Sequence, residues 1–205
     1  MAAARSAQAA GADHGRPQPE LILASTSSAR RTLMDALGLP YRAQKPDFDE
    51  HFRLKDPIDL SHELAWGKAK AVATLNPGAL VIGSDQVCGF EGEIWGKPRD
   101  LDDAREKLQR LSGKTHQLYT AVALLGPKLE RVEHDVVSLT MYALDPNELE
   151  GYLATREWEG CAGGYRVEER GMALFSKIDG DLNSVRGLPM TLVVRMLRDA
   201  GVRFF

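Results

Sequence analysis

Two short, unbroken apolar runs, Leu21-Ile22-Leu23-Ala24 and Ala79-Leu80-Val81-Ile82-Gly83, constrain this chain more than anything else in it. A strand with one wet face alternates apolar and polar residues, so a run without alternation reads as a strand covered on both faces. Between the two runs, residues Asp59 to Leu75 form a helical segment that stops at Asn76-Pro77-Gly78. Strand, helix and strand in that order predict an α/β core of βαβ type. Directly after the first run, Ser25-Thr26-Ser27-Ser28 supplies N-cap chemistry for a further helix over Ala29–Leu37, with Gly38 as its stop.

The later segments mix in antiparallel signals. A hairpin is expected around Glu91-Gly92, then a helix over Asp100–Leu111 and two long strands, His116–Leu125 and Leu129–Leu144, joined at Gly126-Pro127. A short helix opened by Asp145 follows over Pro146–Thr155, and Trp158–Gly171 reads as a Gly-rich loop. The chain is expected to close with a strand over Arg170–Ile178, a turn at Asp179-Gly180-Asp181 and a helix over Pro189–Ala200. The expected fold is therefore α/β, an elongated mixed β-sheet flanked by helices. At ~100–200 residues per domain, residues 20–205 make one domain. Residues 1–19 read as a disordered extension. Seven of the first twelve residues are Ala, but Gly11, Gly15, Pro17 and Pro19 interrupt any helix, and no continuous apolar stretch makes a secretory signal.

Charge excludes some functions. The chain carries 26 Lys and Arg against 29 Asp and Glu, a net −3, where a general nucleic-acid binder shows a basic excess. A small local anion pocket remains compatible with that balance. No apolar run approaches the ~18 residues of a membrane span, so neither nucleic acid nor membrane is an expected partner. Cys88 and Cys161 make no disulfide framework, and a reducing, cytoplasmic setting is expected. His14, His51, His62, His116 and His134 show no zinc spacing, and a Gly-x-Ser-x-Gly elbow is missing, so neither zinc nor acyl-transfer chemistry has support.

Two segments could carry chemistry. Ser25 to Arg31 is a strand end rich in hydroxyls that opens a helix, which aims backbone N–H groups and the positive helix end at one point. Arg30 and Arg31 add fork-shaped donors for phosphate or carboxylate. The alternative is an ordinary capped helix with two solvated arginines, and the Gly-Lys-Ser/Thr ending of a P-loop is absent. The second segment is Gly83-Ser84-Asp85-Gln86-Val87, expected to place Asp85 at a strand's C-terminal end, where open α/β sheets hold their ligands. Asp85 could there bind a divalent metal or activate water, or merely complete a turn. Lys68 and Lys97 are candidate phosphate partners, and Asp49 and Glu50 candidate oxygen ligands for a metal, although each fits a solvated surface equally well.

Taken together, these stretches resemble the Maf family of nucleoside triphosphate pyrophosphatases from Leu21 to the C-terminus. The resemblance is carried by Leu-Ala-Ser-x-Ser-x-x-Arg-Arg at 23–31, Asp49-Glu50, Lys68-Ala69, Gly83-Ser84-Asp85 and Gly96-Lys97-Pro98. Ser112-Gly113-Lys114-Thr115-His116, Ala162-Gly163 and Gly187-Leu188-Pro189 continue it. It implies an elongated α/β fold with a central cleft, as in inosine triphosphatase-like proteins. It also implies a house-cleaning hydrolase in nucleotide metabolism that cuts a nucleoside triphosphate to monophosphate and pyrophosphate with a divalent cation such as Mg, Mn or Co. Ser25, Ser27, Arg30, Arg31, Lys68 and Lys97 would then hold the triphosphate. Asp85 would be the proton acceptor, with Asp49 and Glu50 beside it as metal ligands.

Three positions separate the family's branches. The dTTP/UTP branch tends to carry Arg, Thr and Gln there, and the 7-methyl-GTP branch Trp, Gln and Glu. This chain has Ala29, Gln86 and Glu168, two of three matching the 7-methyl-GTP branch. Ala29 departs from both patterns, which leaves a dTTP/UTP or broad-specificity enzyme open. A nucleotide-binding regulator of cell division with little turnover also stays open, and a homodimer is compatible with the sequence.

Overall fold

The computed structural model describes residues 18–50 and 54–205. The expected extension over 1–19 therefore lies outside the described residues except for Gln18 and Pro19. Gln18 is tied down, its side chain donating to the Arg203 carbonyl at 3.0 Å.

One seven-stranded mixed sheet organises the chain. In sequence order its strands are β1 (Leu21–Leu23), β2 (Arg42–Ala43), β3 (Leu80–Phe90), β4 (Glu93–Trp95), β5 (Thr115–Gly126), β6 (Leu129–Met141) and β7 (Phe175–Asp179). They lie in the spatial order β2-β1-β3-β5-β6-β7, with β4 hairpinned onto β3. β1 is parallel to both β2 and β3, and every other pairing is antiparallel. The helices are α1 (Ser28–Asp35), α2 (Pro57–Leu75), α3 (Leu101–Leu111), α4 (Pro146–Leu153), α5 (Leu182–Val185) and α6 (Met190–Asp199).

The apolar runs are continuous because both faces are covered. Leu21, Leu23, Leu80, Ile82, Val122 and Leu124 pack under α1 and α6. Their neighbours Ile22, Ala24, Val81, Ala121, Ala123 and Leu125 face Ala65, Ala69 and Val72 of α2. Small residues on that second face let α2 come very near. A Cβ on Gly83 would stand 2.3 Å from the Ala65 carbonyl oxygen and 2.7 Å from the Ala69 amide. A third apolar cluster fills the far end of the sheet, where α3, α4 and the 158–174 segment enclose Cys88, Trp95, Leu118 and Leu139.

Several expectations are corrected. β3 does not close at Ser84-Asp85-Gln86 but continues to Phe90, because β5 is long enough to pair with it from Leu125 to Gln117. β1, by contrast, stops opposite Ile82. Asp85 thus stands in the middle of a strand, just beyond the point where the neighbouring parallel strand has ended. The strand expected from Arg170 begins only at Phe175. Arg170–Leu174 is a 3-10 turn, and the Gly171 amide is captured by the buried Glu157 carboxylate at 3.1 Å. α2 starts at Pro57 because Asp56 caps it, accepting from the amides of Ile58 and Asp59. α5, not expected from the sequence, follows the turn at Asp179-Gly180-Asp181 and is capped by Asp181.

Candidate active site

Where β1 ends and β3 runs on, a cleft of about 540 Å³ opens. Its first wall is the turn from β1 into α1. Ser25 is buried there, and its Oγ accepts from the Ser27 amide at 3.1 Å. Ser27 caps α1, its Oγ accepting from the Arg30 amide at 3.3 Å. The hydroxyls therefore occupy some of the amides expected to be open, and what this wall offers a ligand includes the serine hydroxyl hydrogens. Arg30 crosses the cleft floor and donates through Nε to the Gly187 carbonyl at 2.7 Å. Gly187 has φ +94°, and a Cβ there would press on Arg30 Nε at 3.3 Å, so glycine both makes the turn and clears the guanidinium. Burial pushes the Arg30 pKa down and the nearby Asp85 and Glu50 charges pull it up, with burial the stronger.

The second wall holds the charged cluster. Lys68 comes from α2 with its residue only 8% exposed, and such a buried ammonium is tolerated only when paired. Its Nζ meets Asp85 Oδ1 at 2.5 Å and Glu50 Oε1 at 2.9 Å. Burial pushes the Glu50 carboxyl up, but the hydrogen bond and charge of Lys68, aided by Lys97 and Arg30, outweigh it and hold the group below the ordinary carboxylate range. Two carboxylates thus converge on the Lys68 ammonium, each through one of its oxygens. That donor set suits Mg²⁺ or Mn²⁺, which take one or two carboxylates and complete their shell with substrate phosphates and water. Asp85 and Glu50 fit such an ion. Asp49 is exposed and does not line the cleft, and among the described residues no group of three or more His, Cys, Asp and Glu side chains is placed to hold a metal unaided.

The remaining sequence candidates separate cleanly. Lys97 lines the cleft from the loop after β4, and Ala29, Gln86 and Glu168 line it as well. Gln86 Nε2 donates to Thr120 Oγ1 and to the carbonyls of Ser184 and Val185 at 2.8–3.1 Å. Since those partners take the NH₂ end, the amide oxygen is the end left for a ligand. Arg31 is not in the cleft. It lies outside, in a shallow groove with Ser28, Thr32, Asp35 and Tyr41, because the residue after Arg30 on α1 is turned about 100° away from it. Trp66, Trp95 and Trp158 all lie away from the cleft. Trp95 packs edge-on against Phe90, and Trp158 is buried with its indole N–H on the Leu153 carbonyl.

Sequence reasoning missed Lys45, Tyr165, Arg166 and Arg186, which also line the cleft. Arg186 stood beside the Gly187-Leu188-Pro189 stretch, and Tyr165 and Arg166 between Ala162-Gly163 and Glu168, whereas Lys45 had no such neighbour. Tyr165 is buried and shares a 2.5 Å hydrogen bond with His116 Nε2. Six cationic side chains (Arg30, Lys45, Lys68, Lys97, Arg166, Arg186) and four acids (Glu50, Asp85, Glu168, Glu169) line the cleft. A chain of net charge −3 therefore concentrates positive charge here, and a concave site focuses that field on an anion.

The site has relatives. The Maf-like protein family matches residues 20–200. A 7-methyl-GTP pyrophosphatase from Xanthomonas oryzae pv. oryzae is 41% identical over 185 residues, which cover 89% of this chain and 97% of the relative. Another protein of that name, from Chromohalobacter salexigens, is 41% identical over 187 residues, 89% of this chain and 96% of the relative. A dTTP/UTP pyrophosphatase from Symbiobacterium thermophilum is 38% identical over 187 residues, 91% of this chain and 96% of the relative. The solved structure of the Staphylococcus aureus Ham1 protein overlaps at TM-score 0.45 and 21% identity, over 60% of this chain and 72% of that one. A match that runs from the first strand to the last helix, and takes in every segment lining the cleft, makes this chain a member of the Maf family.

Proposed function

We propose that the chain is a metal-dependent nucleoside triphosphate pyrophosphatase, acting on 7-methyl-GTP or a related modified nucleotide. The observation that carries this reading is Lys68 held between Asp85 and Glu50, facing the Ser25–Arg30 turn inside one cationic cleft. Hydrolysis between the α and β phosphates needs positioning and charge neutralisation more than a covalent nucleophile. Ser25, Ser27, Arg30 and Lys97 hold and orient the triphosphate. Lys68 fixes Asp85 through Oδ1, which leaves Oδ2 to accept a proton from water. The water oxygen bonds to the α phosphorus, its proton passes to the Asp85 carboxylate, and the bond to the bridging oxygen breaks to release pyrophosphate. A divalent cation held by Asp85 and Glu50 supplies charge stabilisation at the phosphoryl oxygens when bound.

Base choice rests on Glu168 and Gln86. A carboxylate accepts both guanine N1–H and the 2-amino group, and it is attracted to the positive charge that N7-methylation puts on the ring. The named relatives at 41% identity support the same choice. A dTTP/UTP specificity is the second reading, supported by the 38% identical relative and left open by Ala29, which is neither branch's residue.

Purified protein incubated with a panel of triphosphates and Mg²⁺, Mn²⁺ or Co²⁺ tests the proposal. Pyrophosphate release from 7-methyl-GTP well above dTTP and UTP, abolished by chelator and restored by metal, is the expected result. Binding without turnover under every metal would instead indicate a nucleotide-binding regulator. Glu168→Gln tests the base-reading role. It should lower the preference for 7-methyl-GTP over UTP by ~10-fold or more, since a site built to bond a polar group discriminates strongly. Equal loss on both substrates would remove Glu168 from base recognition.

A further inference from the structure

Arg186 follows α5 and lines the cleft. Its backbone is gripped on both sides. Before it, Gln86 donates to the carbonyls of Ser184 and Val185 at 2.8 and 3.1 Å. After it, Arg30 donates to the Gly187 carbonyl at 2.7 Å, and the Ser84 hydroxyl, 2.9 Å from that carbonyl, shares its one proton between it and the Ala121 carbonyl. The Arg186 amide itself donates to the Leu182 carbonyl at 3.2 Å. Four side-chain contacts and a helical bond therefore fix where this side chain starts.

The side chain is in the opposite condition. Arg186 Nε is buried and has no hydrogen-bond partner among the described residues. A guanidinium offers five donors, accepts nothing and does not shed its proton. A buried donor left unmet is costly, more so on a charged group, and this one belongs to a residue that lines a cationic cleft, where an anion is the partner that would meet it. Three other cations of the cleft are at least partly engaged within the protein. Lys68 is committed to Asp85 and Glu50, and Arg30 Nε to the Gly187 carbonyl. Arg166 donates to the Glu159 carbonyl and to Cys161 Sγ.

We propose that Arg186 is a further substrate-binding residue, its guanidinium bonding the oxygens of the oligophosphate chain beside Arg30. The assignment rests on the reading of the cleft as a triphosphate site. Planar, bidentate donors match phosphate oxygens, which explains an arginine rather than a lysine at this position. The competing role is structural. Asp181 Oδ2, at the cap of α5, is likewise buried without a partner, and an Arg186–Asp181 ion pair would satisfy both.

Calorimetric titration of the full chain with inorganic tripolyphosphate, in Mg²⁺, separates these roles without needing turnover or a base. Arg186→Gln should bind tripolyphosphate at least ~10-fold more weakly than wild type, the loss expected for a charge-assisted hydrogen bond. Arg186→Lys, which keeps the charge but not the fork, should fall between them. Wild-type affinity in both variants would overturn the assignment. So would a thermal midpoint lowered alike by Arg186→Gln and Asp181→Asn with binding intact, the mark of an ion pair. Should Arg186→Gln not fold, Arg186→Lys decides alone: a ~3-fold or greater loss supports the fork, and unchanged affinity overturns it. Failure of wild type itself to bind tripolyphosphate would sink the triphosphate reading of the cleft, a different outcome from loss of the Arg186 assignment alone.

Discussion

At the residue scale, the site works through charges that are paired before a ligand arrives. Asp85 is oriented by Lys68 at 2.5 Å, so replacing its carboxylate by an amide keeps the shape and removes the charge that the proposed metal binding and proton transfer both need. Asp85→Asn should lower turnover by at least ~100-fold in single-turnover assays at saturating Mg²⁺ while the protein still folds. Near-native turnover would make the carboxylate structural. His116 gives a stability prediction. Its ring is buried against Tyr165, and burial pushes its pKa from 6.5 down to about 4. The unfolded imidazole takes up its proton near 6.5 while the folded one resists until about 4, so the unfolded state holds more protons throughout that window. This contribution to stability is complete above pH 6.5 and drains away as pH falls to about 4, roughly 3 kcal/mol at ~1.4 kcal/mol per pH unit. Denaturant titrations at a series of pH values should show a steeper loss across this window in wild type than in His116→Gln. Parallel curves would contradict the assignment.

At the element scale, the Lys68–Asp85 geometry depends on how near α2 lies to β3. Lys68 rides on α2 and Asp85 on β3, and Gly83 sets the gap between them. A methyl group on Gly83 would meet Ala65 and Ala69 backbone at 2.3 and 2.7 Å, which neither a helix nor a central strand can absorb by side-chain rotation. Gly83→Ala should therefore cost ~1–3 kcal/mol by overpacking, and should also lower turnover by drawing Lys68 away from Asp85. Thermal midpoint and turnover measured together check this. A stable, fully active variant would show that the gap is not rigid. The same elements show what a sequence conceals. The end of β3 could not be read at Ser84-Asp85-Gln86 because polar residues inside a strand look like a turn until the partner strand is known. The break at Arg170–Leu174 was hidden for a similar reason, since it depends on Glu157, a buried carboxylate distant in sequence that takes the Gly171 amide.

At the scale of the whole molecule, the cleft lies between separate apolar cores. One packs β1 and the start of β3 under α1 and α6, and another fills the far end of the sheet under α3 and α4. Ser25, Arg30 and Arg186 reach the cleft from the first side, and Lys97, Cys161 and Glu168 from the second. A triphosphate bound across it ties the two sides together and binds only the folded chain. Nucleotide at ~100 times its dissociation constant should then raise unfolding free energy by ~2.7 kcal/mol, read as a concentration-dependent rise in thermal midpoint. A midpoint indifferent to 7-methyl-GTP, dTTP and UTP at millimolar levels, with and without Mg²⁺, would place nucleotide elsewhere or nowhere.

The amino-acid sequence alone determined the local features. The unbroken runs at Leu21–Ala24 and Ala79–Gly83 announced doubly covered strands, the hydroxyl stretch Ser25-Thr26-Ser27-Ser28 announced α1, and the spaced stretches from Leu23 to Pro189 announced the family, because each of these is written in neighbouring residues. Tertiary structure alone decided which charges share a site. Lys68, Asp85 and Glu50 meet only because α2 packs tightly on Gly83 and the 44–50 segment returns beside it. Arg31 was lost to the outer face by a single step around α1, whereas Arg186, unmarked in the sequence, was carried into the cleft by bonds from Gln86, Ser84 and Arg30 that span more than ninety residues. Backbone propensity and patterning act over a few residues; the position of a charge in space is set by packing between elements far apart in the chain.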